Sequence, residues 1–232
     1  MFQIRATLSG TYYGTITASA NITLDSIPRA SSVSAGNMTL GSVGKINISR
    51  ASSSFTHTLT YSFGNTSGTI ATKTTATSVS WTPSLSLANQ IPNATSGTCT
   101  ITCTTYNGNT NIGAKTCTLS LSVPASVKPT ISSLSAARID GEVPSAWGIY
   151  VQTKSKVKLT INGAAGSYGS TIKSYSITGG GYSGSASTLT TGFLNNSGTI
   201  TFKATVTDSR GRVSAEASVS ITVTAYSPPY FN

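Results

Sequence analysis

A chain of 232 residues with 15 Lys and Arg against 5 Asp and Glu carries a net charge of +10, yet charged residues are only 9% of it and it has a single His. So thin a supply of carboxylates and imidazole excludes most acid–base and metal chemistry. No apolar run approaches the ~20 residues of a membrane-spanning helix, so no membrane insertion is expected. A hydrophobic share of 38% is too high for a disordered chain, and the opening residues lack the basic-then-apolar order of a secretion signal.

Residues 1–24 alternate strictly. Phe2, Ile4, Ala6 and Leu8, then Ile16, Ala18, Ala20, Ile22 and Leu24, all fall at even positions, with a turn expected across residues 9–14. The segment 1–26 therefore reads as a β-hairpin. An isolated hairpin is marginal in water, so this one completes a sheet supplied from elsewhere. Two sources stand open: an upstream sandwich that this chain lacks, or a neighbouring subunit reached by strand addition, with Phe2, Ile4 and Ile16 as the contacts.

Ile27-Pro28-Arg29-Ala30 breaks the pattern, and a first full domain is expected over 31–124. Its strands are expected near 44–49, 55–63, 78–82, 98–106 and 115–123. Phe55, Leu59, Tyr61, Trp81, Ile101, Leu119 and Leu121 supply its core, and the intervening Thr and Ser its wet face. His57 shares the inward parity and reads as a satisfied core residue. Cys103 and Cys117 would oppose each other if the hairpin turn centres near Thr110; otherwise they are small buried thiols. Three cysteines without a CxxC fit no disulfide framework or zinc site and suit a reducing cytoplasm.

Pro124–Pro129 reads as a second linker, and a second domain is expected over 130–225. Its strands fall near 131–137, 148–152, 156–161, 171–177, 186–190, 198–207 and 212–223, with Val157, Leu159, Ile161, Phe202, Val206, Val219 and Ile221 in the core. Asp208-Ser209-Arg210-Gly211 is a turn signal. Short strands at regular spacing give the fold class: all-β, tandem immunoglobulin-like antiparallel sandwiches preceded by a hairpin. The tail, 226–232, holds Pro228 and Pro229 and cannot continue a central strand.

Lys154, Lys156 and Lys158 sit at alternate positions and are expected along one face of one strand. Two readings stand. Lys on an exposed edge strand blocks edge-to-edge pairing; alternatively the stripe contacts an anionic glycan of a cell wall. Nucleic acid is not expected as a partner, because no aromatic residues interleave with the lysines in sequence. Asp140 and Glu142 read as a solvated loop rather than a catalytic pair. No catalytic residue, cofactor or metal is expected, and the chain is read as a non-enzyme.

The stretches GTYYGTITASANITLDSIPRASS (10–32), FTHTLTYSFG (55–64) and SVSWTPSLSLANQIPNATSGTCTITCTTYNG (78–108) resemble the minor structural proteins of siphovirus tails that infect Gram-positive bacteria. The likeness covers residues 10–130 well; beyond them only the sandwich character and the VTDSRGR turn (206–212) match. In that family a longer first sandwich precedes the IPRAS linker, which is what makes the upstream-domain reading of the hairpin available here. The resemblance implies a virion tail component assembled in the bacterial cytoplasm: a fibre or tip protein near the host surface, partnered by other tail proteins, by host cell-wall glycan and by copies of itself. The alternative is a bacterial surface or filament-forming adhesin built of the same modules.

Overall fold

The computed structural model describes residues 2–8, 11–18, 29–139 and 142–229, and more than half of them are strand, mostly antiparallel, where the period-two pattern runs. β1 (Phe2–Leu8) and β2 (Thr11–Ala18) form a two-stranded sheet, with Phe2 opposite Ala18, Ile4 opposite Ile16 and Leu8 opposite Thr11. β2 begins earlier than expected, at Thr11, because the aromatic run Tyr12-Tyr13 favours strand. Ala20, Ile22 and Leu24 lie outside the described residues.

The first sandwich contains β3 (Ser32–Ala35), β4 (Met38–Thr39), β5 (Gly44–Ser49), β6 (Thr56–Phe63), β7 (Thr66–Thr74), β8 (Ser78–Trp81), β9 (Ser96–Asn107) and β10 (Thr110–Ser122). One sheet has the order β3-β5-β8 and the other β4-β10-β9-β6-β7. β4 joins β10 in parallel, and the remaining pairs are antiparallel. Alternation sends Val33, Ile46 and Ile48 from one sheet and Leu59, Phe63, Cys99, Ile101, Cys103, Leu119 and Leu121 from the other into a shared core. Leu87 and Ala88, from the 3₁₀ turn Leu85–Gln90, close one end of it.

The second sandwich contains β11 (Ser133–Ile139), β12 (Tyr150–Val151), β13 (Lys156–Asn162), β14 (Ile172–Gly179), β15 (Tyr182–Gly184), β16 (Thr188–Thr190), β17 (Gly198–Asp208) and β18 (Ala217–Thr224). Its sheets run β11-β13-β16 and β12-β18-β17-β14-β15, with β12 parallel to β18. The two sandwiches therefore share one topology strand for strand, down to a two-residue parallel edge strand. Three strands face five in the Greek-key order of an immunoglobulin-like domain. Val157, Leu159, Ile161, Ile177, Phe202, Val206 and Ile221 fill the second core, with Val219 partly buried against it.

Three expectations need correction. Trp81 is half-buried, because β8 is the edge of its sheet; it packs at the rim against Tyr61, ring centroids 5.1 Å apart, while Phe63 and Leu59 occupy the centre. Phe55 is buried but stands outside the main cluster. Cys103 lies opposite Lys115, and Cys117 opposite Ile101. The hairpin turns at Gly108, whose φ of 59° suits glycine, and a bulge between Asn111 and Gly113 shifts the register. All three thiols are free, and burial, aided by the neighbouring Cys117, pushes Cys99 and Cys103 up to about 11.

Candidate functional site: the joint between the sandwiches

The turn that follows β17 is built by Asp208. This carboxylate is fully buried, and its Oδ1 accepts the backbone N–H groups of Arg210 (3.0 Å) and Arg212 (2.9 Å). Gly211 takes φ of 79° to complete the bend. The consequence is that two arginine side chains leave the second sandwich together, aimed at the first.

Arg210 is buried, with only 7% of its surface exposed. Its guanidinium donates to the carbonyls of Ala88 (Nη2, 2.8 Å) and Ile91 (Nε, 3.3 Å) in the first sandwich, and of Ser167 (Nη1, 2.6 Å) and Tyr168 (Nη2, 2.7 Å) in the second. Ala88 and Ile91 stand at the carboxyl end of the 3₁₀ turn, where each carbonyl already accepts one backbone N–H, from Ile91 and Ala94 respectively, and offers its second lone pair to the guanidinium. Burial lowers the guanidinium's affinity for its proton, partly offset by the Asp208 carboxylate, but an arginine remains charged at any working pH. A buried charge is tolerated only when its donors are used, and the planar fork of Arg can satisfy four carbonyls at once.

Arg212 clamps the linker itself. Nη1 donates to Pro124 O and to Val127 O (2.8 Å), and Nη2 to Val123 O. Smaller contacts fill in around these. Ser209 Oγ donates to Pro92 O at 2.7 Å and Ser167 Oγ to Lys128 O at 2.6 Å. Gly169, at φ of 76°, lies against Asn89, whose Oδ1 would stand 3.4 Å from a Cβ added there. The linker Pro124–Pro129 is thus tied to the second sandwich at Pro124, Val127 and Lys128.

The lysines take a different arrangement from the one expected. Lys154 lies in the turn before β13, while Lys156 and Lys158 are on the strand. β13 is a central strand, paired with β11 and β16, so the edge-protection reading fails on geometry. Lys154 Nζ sits 2.5 Å from Glu142 Oε2, and the hydrogen bond to that carboxylate raises the lysine pKa. Glu142 is exposed in its loop, as expected, and is also half of an ion pair. Lys154 also approaches the Tyr226 ring at 5.5 Å, and Lys156 the Phe193 ring at 4.6 Å. These aromatic partners arrive from residues far along the chain and leave no signal near the lysines in sequence.

Phe2 and Ile4 lie on β1 and Ile16 on β2, opposite Ile4 in the backbone register, and the pair of strands joins no third strand among the described residues. His57 is fully buried, its Nε2 at 2.9 Å from Ser31 Oγ, and burial lowers its pKa. Ser31 N donates to Thr105 Oγ1, so the histidine anchors the chain where it enters the first sandwich. Among the described residues there is no cluster of three or more His, Cys, Asp or Glu placed to hold a metal ion, and no helix long and apolar enough to cross a membrane.

Comparison with known proteins matches residues 1–232 to the family described as "Siphovirus protein of unknown function (DUF859)". No curated protein matches the chain. Among solved structures it is similar to the fibronectin(III)-like modules of CbhA from Clostridium thermocellum, at 15% identity and a TM-score of 0.34, over 86% of this chain and 100% of that one. It is also similar to the FN1–FN3 domains of chicken CNTN1, at 10% identity and a TM-score of 0.30, over 96% of this chain and 77% of that one.

Proposed function

This chain belongs to the siphovirus protein family DUF859, and on that premise we propose that it is a non-enzymatic structural protein of the virion tail, placed at the tail tip and touching the host surface. The observation that carries the reading is the arginine joint. Arg210 and Arg212 donate seven hydrogen bonds between them to main-chain carbonyls of the first sandwich, the linker and the second sandwich. Two sandwiches joined in this way act as one stiff spacer, which is what a part that projects and carries load requires. The Ser/Thr faces suit a durable protein-rich assembly. The hairpin, with Phe2, Ile4 and Ile16, supplies strand edges for pairing with a neighbouring copy or tail protein, and Lys156 and Lys158 present positive charge to an anionic cell-wall glycan.

Purified virions test this. Mass spectrometry should find the chain, and gold-labelled antibody should decorate the distal tail. Labelling confined to the capsid would overturn the tail assignment. Absence from virions with presence on infected or lysogenic cells would move the chain to the surface-adhesin class.

A further inference from the structure

At the pole of the second sandwich away from the joint lies a cleft of about 290 Å³, lined by Glu142, Pro144, Trp147, Lys154 and Tyr226 among others. β17 runs from Gly198 at this pole to Asp208 at the joint, 11 residues or roughly 33 Å at a strand's rise per residue. Gly198 pairs with Val223, and Val223 with Tyr150, which fixes the cleft at the far end.

Trp147 is 63% exposed and Tyr226 41%. An indole left in water forgoes a large burial gain, and such exposure marks binding surfaces when it is built into the fold. Here it is built. The Arg138 guanidinium donates to Pro144 O and Ile149 O, both at 3.1 Å, and so holds the loop on either side of Trp147. Val143 is buried as an anchor, and Gly148 at φ of 63° ends the short 3₁₀ turn that carries the indole. Beside the ring, Glu142 and Lys154 form their ion pair at 2.5 Å. The cleft thus offers an apolar aromatic face, a carboxylate acceptor and an ammonium donor, with the two charges cancelling.

We propose that this cleft binds a single neutral pyranose residue of a host-surface glycan. A pyranose has an apolar face of C–H bonds, which stacks on an indole, and an equatorial rim of hydroxyls. One rim hydroxyl donates to Glu142 while a neighbouring one accepts from Lys154. The mutual neutralisation of Glu142 and Lys154 favours an uncharged sugar over an anionic one. The volume stands near the lower end of the roughly 300–1,000 Å³ of ligand sites, which suits one ring rather than a long oligosaccharide. This rests on the host-contact reading above and adds to it a second ligand class, at a site apart from Lys156 and Lys158, but it can fail separately.

The chain has 2 Trp residues, so a ¹H–¹⁵N spectrum of the whole chain shows two indole signals, and Trp147→Phe identifies one. Titration with neutral methyl glycosides of glucose, galactose, mannose and N-acetylglucosamine should shift the Trp147 indole saturably with at least one of them and leave the Trp81 indole in place. The shift should persist in 0.5 M salt, a probe condition in which screening is nearly complete. Glu142→Gln should weaken binding roughly tenfold, the size of effect expected of a central contact, in a protein whose remaining signals are unmoved. No shift with any of the four sugars, or binding confined to a polyanionic glycan and erased by salt, would overturn the proposal. Sugar binding by a chain missing from virions would overturn the tail assignment and leave the cleft standing.

Discussion

Arg210 and Ala88 lie 122 residues apart in the chain and are joined by a 2.8 Å hydrogen bond from the guanidinium Nη2 to the main-chain carbonyl. The bond crosses from one sandwich to the other and is one of four that the same guanidinium makes. Hydrogen bonds to a charged group contribute about 1.5–3 kcal/mol each and do not add. Replacing Arg210 with Lys keeps the charge but substitutes a point donor for a planar fork. Arg210→Lys should therefore destabilise the protein by about 3 kcal/mol, lowering Tm by roughly 6–12 °C for a chain of this size. A Tm within 2 °C of the wild type would show that the fork is not needed.

The sequence made the sandwiches legible because period-two alternation of apolar and hydroxyl residues has few other solutions, and long strands such as β9, β10 and β17 carry many repeats of it. It left β7 unread. That strand is an edge, alternately half-buried and exposed, with Ile70 its only large apolar residue and Gly68 close under the Tyr61 ring. β15, three residues long, failed for the same reason. The joint was half legible. The sequence showed Asp208–Gly211 as a turn, but nothing local says that it touches the 3₁₀ turn Leu85–Gln90. Contacts over such a separation are written in tertiary packing, not in spacing. The aromatic partners of Lys154 and Lys156 were hidden likewise.

The rim position of Trp81 sets an order among large core residues. Phe63 is 1% exposed at the centre of the first sandwich, and Phe63→Ala should cost about 3–5 kcal/mol. Trp81→Ala, which removes a half-buried ring and its contact with Tyr61, should cost less than that. Chemical denaturation of the two variants measures it, and a larger loss for Trp81→Ala would contradict the placement of β8 at the edge.

His57 predicts an acid-side sensitivity. Burial favours its neutral form, so its folded pKa lies below the ordinary 6.5, with the Thr74 backbone opposing the shift and Arg50 adding to it. A depressed pKa contributes stability above the unfolded value and loses it as pH falls through the folded one. Unfolding free energies should fall below about pH 6.5 more steeply in the wild type than in His57→Gln. Parallel curves would mean that folding leaves the proton affinity of the ring unchanged, and would contradict its burial.

The buried thiols predict the opposite slope. With Cys99 and Cys103 raised from 9.0 to about 11, the folded state holds their protons more tightly than the unfolded state does. Their contribution is complete below pH 9 and is lost as pH rises through about 11. Native protein at pH 8 should react slowly with a thiol reagent at both positions, and all three cysteines should titrate in denaturant. Rapid native labelling of Cys103, or a Cys103–Cys117 disulfide in the mass spectrum, would contradict the register of β9 against β10.

That the joint makes one stiff body of two sandwiches is the claim on which the virion role rests, and small-angle X-ray scattering tests it most directly. Wild-type chain and the double variant Arg210→Ala/Arg212→Ala should both keep their folded sandwiches by circular dichroism. The wild type should scatter as a single extended body matching the coordinates of residues 29–229. The double variant should fit only a distribution of inter-sandwich angles about Pro124–Pro129. Scattering from the wild type that itself requires such a distribution, or identical curves for the two proteins, would contradict the account.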